Sequence, residues 1–259
     1  GVPEAFAALT LTIPFNDLDA LRAVLEVHGR NIACLIGEPV PANMGVVLPQ
    51  PGYWAAVREL LDQYGVLLIY DEVITGFRLG WKGGQGWTGI TPDLCTLGKI
   101  IGGGLPAAAY GGRIDLMRLM APEGPVYQAG TLSGNPLAIA AGMATLQQLA
   151  AQQPYARLEA LTTRLVTGLR QAAEDANIPV TINHAASMAT IFFTEGPVSD
   201  FASAARSDTR RYAAFFHACL RNGVMLAPSQ FEAAFVSTAH TEAEIDATID
   251  RARLAFKEA

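Results

Sequence analysis

The chain has 259 residues, 51% of them hydrophobic and 16% charged, and a net charge of −6, which is enough apolar material for one large domain or two modest ones. The acidic balance and the lack of a basic run argue against a nucleic-acid binder, which neutralises phosphates with clustered Lys and Arg. Apolar stretches are broken by Gly, Pro or charge well short of the roughly 20 residues of a membrane span, and the scattered Cys34, Cys95 and Cys219 fit neither a disulfide framework nor a zinc site, so a cytoplasmic protein with reduced thiols is expected.

In chain order, Asn16 with Asp17 and Asp19, followed by Leu18, Leu21, Val24 and Leu25 at helical spacing and then Gly29, predicts a capped amphipathic helix. Ile32 to Ile36 reads as a short buried strand that stops at Glu38-Pro39, because proline blocks both helix and central strand. Pro51 to Tyr64 is a second helix closed by Gly65, and Val66 to Tyr70 is a continuous apolar strand of the kind buried on both faces of a parallel sheet. This alternation indicates an α/β fold, in which ligands gather beyond the carboxyl ends of the strands. Glu38, Asn43 and Asp71 fall at such ends.

Leu94 to Leu97 and Ala107 to Tyr110 are short strand candidates flanking a glycine-rich run, Arg113 to Met120 is a short helix, and a long Ala-rich helix starts from Asn135. Gln152-Gln-Pro154 is the clearest break, placing a domain boundary near residue 153, with an α/β domain over 1–153 and a smaller α+β domain over 154–259. The latter is predicted to hold a helix from Tyr155 to Asn177, strands near Val180–Ile182 and Met188–Thr194, a helix from Asp208 to Arg221, and strands at Met225-Leu226 and Phe235-Val236. Thr241 with Glu244 three residues on forms a capping box for the terminal helix.

Lys99, in Gly98-Lys-Ile-Ile-Gly-Gly-Gly104, stands after an apolar run that ends in Asp71. A phosphate-binding nucleotide loop requires Gly five positions before the Gly-Lys pair and Ser or Thr after it; Asp93 and Ile100 occupy those places. A lysine paired with a strand-end aspartate suits pyridoxal phosphate instead, which needs an amine to hold its aldehyde and a carboxylate beside its ring nitrogen. The histidines, 28, 184, 217 and 240, lack metal-ligand spacing and read as structural, so no metal is expected.

Three segments, Asp71-Glu-Val-Ile-Thr-Gly-Phe-Arg78, Thr91 to Pro106 and Tyr127-Gln-Ala-Gly-Thr-Leu-Ser-Gly-Asn-Pro136, together resemble the class III pyridoxal-phosphate aminotransferases. The last of these, with Ala227-Pro-Ser-Gln-Phe-Glu232, is similar to the aminomutase branch of that class. The resemblance implies a fold-type I transferase and intramolecular amino transfer that converts glutamate-1-semialdehyde to 5-aminolevulinate for tetrapyrrole synthesis. Pyridoxal 5′-phosphate and its pyridoxamine form would be the cofactors. It also implies that Lys99 carries the cofactor and moves protons, and that Asp71 holds the ring nitrogen. Val73 would pack on one ring face, Asn43 would face the ring hydroxyl, Thr131 would reach the phosphate of the neighbouring subunit in a homodimer with shared active sites, and Glu232 would face the substrate.

Gly1-Val-Pro-Glu4 resembles the middle of the family's sequence, so roughly its first two fifths are expected to lie outside this chain. Two further readings stay open from sequence: a conventional class III aminotransferase with a separate donor and acceptor, and a chain that is inactive without its N-terminal part.

Overall fold

In the computed structural model, which describes residues 1–259, the apolar run ahead of Asp71 becomes the second strand of a four-stranded sheet. Helices α1 (Glu4–Ala7) and α2 (Leu18–His28) lead into the edge strand β1 (Cys34–Gly37), and α3 (Tyr53–Tyr64) leads into β2 (Leu67–Glu72). Helix α4 (Gly83–Thr88), β3 (Leu94–Leu97), a tight 3-10 turn over Lys99–Gly102, β4 (Ala109–Gly112) and α5 (Ile114–Met117) follow. The sheet order is β1-β2-β3-β4; the first three strands are parallel and β4 is antiparallel. The fold is α/β, as the alternation of elements predicts.

The capped helix forms as expected, and one strand expectation needs correction. The N-cap of α2 is Asp17, whose carboxylate accepts the Ala20 N–H at 2.8 Å. Asn16 instead takes a φ of 67°, a left-handed conformation that Asn tolerates better than most residues. It donates Nδ2 to the carbonyls of Leu48 at 2.9 Å and Ser199 at 2.7 Å, and its Oδ1 accepts the Gln50 N–H at 2.8 Å, so one side chain fastens two distant segments. Strand β1 is not the buried strand expected from its composition: it is an edge strand, and Ile36 is 59% exposed.

Helices α2 and α3 cover one face of the sheet, burying Leu21, Leu25, Trp54, Val57, Leu61, Leu68 and Tyr70 together. Trp54 stands edge-on to Tyr70 and Tyr53, with centroids 4.8 and 5.3 Å away, each pair worth about 1 kcal/mol beyond area burial. Asp93, 8% exposed, pins the start of the β2–β3 ladder. It accepts the Leu68 N–H at 2.8 Å and pairs with Arg58 at 2.7 Å and Arg113 at 2.8 Å.

Helix α6 (Pro136–Gln152), capped by Asn135, packs on the 3-10 turn. Contact is backbone to backbone there: a Cβ on Gly142 would overlap the Ile101 carbonyl oxygen. Beyond Gln153, which adopts φ 43°, come α7 (Tyr155–Asp175), β5 (Thr181–Ala185), β6 (Met188–Phe192), α8 (Phe201–Ala204), α9 (Thr209–Arg221), β7 (Ala234–Phe235) and α10 (Glu242–Phe256). The antiparallel sheet β5-β6-β7 is covered by α7, α9 and α10 around Val166, Leu169, Phe193, Phe215 and Phe256. Asp208 caps α9, and the Thr241–Glu244 capping box opens α10. Met225-Leu226 is not a strand: β6 is already paired with β5 and β7, and Met225 is exposed.

The segment 40–46 joins the two sheets. Val40, Ala42, Val46 and Ile74 pack with Ala185, Met188 and Ala233, while the Val46 N–H donates to Thr190 Oγ1 at 3.0 Å and Asn183 Nδ2 donates to the Val46 carbonyl at 2.9 Å. No helix is long and apolar enough to cross a membrane.

Candidate active site

Parallel pairing makes β1, β2 and β3 end on the same edge of the sheet. Gly37 lies opposite Tyr70, and Asp71 opposite Thr96, so Glu38, Asp71 and the Gly98-Lys99 step come out side by side. This is the carboxyl edge, where open α/β sheets bind ligands.

Asp71 is half-buried and held at one oxygen only. Oδ1 accepts the Val73 N–H at 3.1 Å and the Thr96 hydroxyl at 3.3 Å, whereas Oδ2 has no partner within the chain. The carboxylate plane is thereby set and one oxygen is left to meet an incoming donor. Val73 sits beneath the next strand end, its Cγ1 3.3 Å from where a Cβ on Gly98 would stand. Lys99 follows with φ 47°, a left-handed conformation that costs a non-glycine residue on the order of 1 kcal/mol and is typical of functional turns. Its side chain is exposed and makes no ion pair.

Glu38 closes the group. Burial pushes its carboxyl above the usual carboxylate range, against the pull of the Asn43 side chain and the Ala42 N–H; the charges of Asp71 and Lys99 act on it in opposite senses. Asn43 Nδ2 donates to Glu38 Oε1 at 3.2 Å, and the Ala42 N–H donates to Oε2 at 3.3 Å. Trp54 Nε1 donates to the Pro39 carbonyl at 2.9 Å, which anchors the loop.

The structure thus groups Asp71, Val73, Lys99, Asn43 and Glu38. Thr131 is elsewhere, in an exposed turn ahead of α6. Glu232 is exposed at the mouth of a cavity of about 60 Å³ that also touches Leu165, Leu169 and Tyr212. Burial pushes the Tyr212 phenol up to about 12, with the Glu232 charge adding to the rise. The backbone beside Glu232 does reach the site loop, since the Gly45 N–H donates to the Phe231 carbonyl at 2.6 Å. Sequence reasoning missed Thr96, whose hydroxyl donates to Asp71, and Glu72, the next residue on β2, which is buried against Gly84 and Gln85. Thr96 is found only from the strand register, and Glu72 only from the packing of a glycine-rich helix behind the sheet.

The residues present fit pyridoxal phosphate. A carboxylate oxygen without a partner and an exposed amine stand at neighbouring strand ends, the aliphatic Val73 lies against the Gly98 backbone next to Lys99, and an amide stands next to a half-buried carboxyl. No cluster of three or more His, Cys, Asp or Glu could hold a metal ion.

The family model for Aminotransferase class-III matches residues 2–253. The chain belongs to the class-III aminotransferases. Relatives named glutamate-1-semialdehyde 2,1-aminomutase from Roseiflexus castenholzii and Desulforudis audaxviator are 56% and 55% identical to it over 257 residues, 99% of this chain. The chain spans 59% and 60% of the length of these two relatives. Among solved structures, an omega-transaminase from Sphaerobacter thermophilus superposes with a TM-score of 0.93 at 29% identity, over 100% of this chain and 59% of that one. A glutamate-1-semialdehyde-aminomutase from Pseudomonas aeruginosa in complex with PMP gives 0.84 at 29% identity, over 95% of this chain and 56% of that one.

Proposed function

We propose that this chain carries the lysine and aspartate of a pyridoxal-phosphate site in a glutamate-1-semialdehyde 2,1-aminomutase, which forms 5-aminolevulinate by exchanging an amino group between adjacent carbons. The observation that carries the reading is the placement of Asp71 and Lys99 at neighbouring strand ends, with Asp71 Oδ2 and the Lys99 amine both unengaged. The shared name of relatives more than half identical to this chain supports the choice of reaction.

When bound, the cofactor supplies an aldehyde that condenses with amines and a ring that takes up the electron pair of a deprotonated carbon. Asp71 Oδ2 would hold the proton on the ring nitrogen; an ion pair at about 3 Å with an effective dielectric near 20 would supply roughly 5 kcal/mol. Lys99 Nζ would anchor the cofactor and, as a free amine, would carry a proton between the substrate carbon and the cofactor's aldehyde carbon; arginine could do neither, since it does not deprotonate in proteins. Val73 would pack against one face of the ring, and Asn43, whose amide is held by Glu38, would face the ring hydroxyl. Nitrogen leaves the inner carbon and arrives at the terminal one, so substrate and product have the same atoms and no external donor is consumed.

The same proposal includes Thr131 at the phosphate of a second subunit in a homodimer, Glu232 toward the substrate, a division of the chain at residue 153, and a cytoplasmic location. The second reading, a conventional aminotransferase, is favoured by the likeness to the omega-transaminase.

The test is to give the chain pyridoxamine phosphate, glutamate-1-semialdehyde and an isotope-labelled 2-oxo acid. Formation of 5-aminolevulinate with no amino acid made from the oxo acid supports the aminomutase; amination of the oxo acid supports the aminotransferase. If Asp71→Asn leaves the absorption of bound pyridoxal phosphate and its pH dependence unchanged, the role of Asp71 is wrong.

A further inference from the structure

Asp71 and Glu72 are consecutive on β2, so their side chains leave opposite faces of the sheet. Glu72 is 2% exposed, and a buried carboxylate persists only when donors satisfy it. The donors are local and complete. Its Oε2 accepts the Gly84 N–H at 2.6 Å and faces the Thr75 hydroxyl at 3.4 Å, while its Oε1 faces the Gln85 N–H at 3.4 Å and Nε2 at 3.2 Å. The pocket is built around that oxygen: Gly83 has φ 57° and a Cβ there would overlap Oε2. The charge of Glu72 is felt along the strand and across it, adding to burial in raising the Tyr70 phenol and the Cys95 thiol.

We propose that Glu72 is a positioning residue for Asp71. It clamps the end of β2 to α4 from behind, so that the peptide between residues 71 and 73 is fixed and the Val73 N–H keeps Asp71 Oδ1 in place. The Thr75 contact ties the following turn to the same carboxylate, and the Gly76 N–H donates to the Glu72 carbonyl at 2.9 Å. Asp71 is therefore braced twice, in front by Thr96 and Val73 and behind by Glu72, which leaves Oδ2 without a partner. The significance of that oxygen rests on the pyridoxal-phosphate reading; the clamp itself does not.

The test is amide hydrogen exchange by NMR on the cofactor-free chain, comparing wild type with Glu72→Gln. The amide keeps the shape but turns one acceptor into a donor that faces the Gln85 donors. The expected result is that the Val73 amide exchanges about tenfold faster or more, while Leu68, held at the start of the same strand by Asp93, exchanges at the wild-type rate. Faster exchange at Gly84 and Gln85 with Val73 unchanged would overturn the proposal, because Glu72 would then hold only α4. Should Glu72→Gln not fold, Gln85→Ala removes a single donor; acceleration of Val73 by about threefold supports the clamp, and no change overturns it. In parallel, Asp71→Asn with bound pyridoxal phosphate reports on the cofactor reading alone. An unchanged spectrum there, beside an accelerated Val73 in Glu72→Gln, would sink the cofactor role and leave the clamp standing.

Discussion

Gly142→Ala separates helix propensity from site geometry. In an ordinary helix interior, Ala in place of Gly stabilises by about 1 kcal/mol. Gly142 lies where α6 meets the turn that carries Lys99, and an added Cβ would overlap the Ile101 carbonyl oxygen, roughly 1 Å closer than the ~3.3 Å of an ordinary C···O contact. Helix and turn must part by about that distance, and overpacking of this kind costs on the order of 1–3 kcal/mol. The net effect is therefore a loss of stability of up to about 2 kcal/mol instead of a gain. Because Lys99 is two residues from Ile101, the turn that moves is its own, and a displacement near 1 Å reduces reaction rates by about a hundredfold. Urea unfolding gives the first quantity, and the rate of lysine labelling by pyridoxal phosphate gives a measure of the second. A variant about 1 kcal/mol more stable than wild type, with labelling unchanged, would refute the close backbone packing of α6 on the turn.

Replacing Asp93 by Asn removes the carboxylate shared by Arg58 and Arg113, which keep Asp62 and Asp115 as partners, and a loss of about 2 kcal/mol in urea unfolding at neutral pH is expected. The Asp93 carboxyl is held below its usual range by the Leu68 N–H and the two arginines, which together outweigh burial, the largest opposing effect. Its contribution is thus present above the unfolded carboxylate value and lost as pH falls through the folded one, so wild type and variant converge in acid. A constant gap down to the acid transition would contradict this. Glu38 works in the opposite sense: burial raises its carboxyl, so ionisation costs stability as pH rises from the unfolded value through the folded one. Glu38→Gln is expected to be more stable than wild type at neutral pH and to lose that advantage near the unfolded Glu value, about pH 4; an advantage independent of pH would point to packing instead.

Much of the site was legible because its signals are local. The apolar run before Asp71 and the glycines around Lys99 are consecutive in sequence, and parallel pairing of the strands that end in them brings the two together. Signals that depend on distant segments were not legible. Asn16 stands among the residues that signal a helix start, yet its amide is spent on Leu48, Gln50 and Ser199. Helix α4 has three glycines in six residues and no helical apolar period; it exists because Glu72 gathers its N–H groups. The exposure of β1 depends on its place at the sheet edge, which four residues cannot announce.

Borohydride reduction of the chain after equilibration with pyridoxal phosphate, followed by peptide mapping, tests the central claim most directly. The expected result is a phosphopyridoxyl group on Lys99 in preference to Lys82 and Lys257, the other two lysines of the chain, and its loss at that peptide in Lys99→Ala. Equal labelling of the three lysines, or none at Lys99, would contradict a cofactor site built by Asp71 and Lys99.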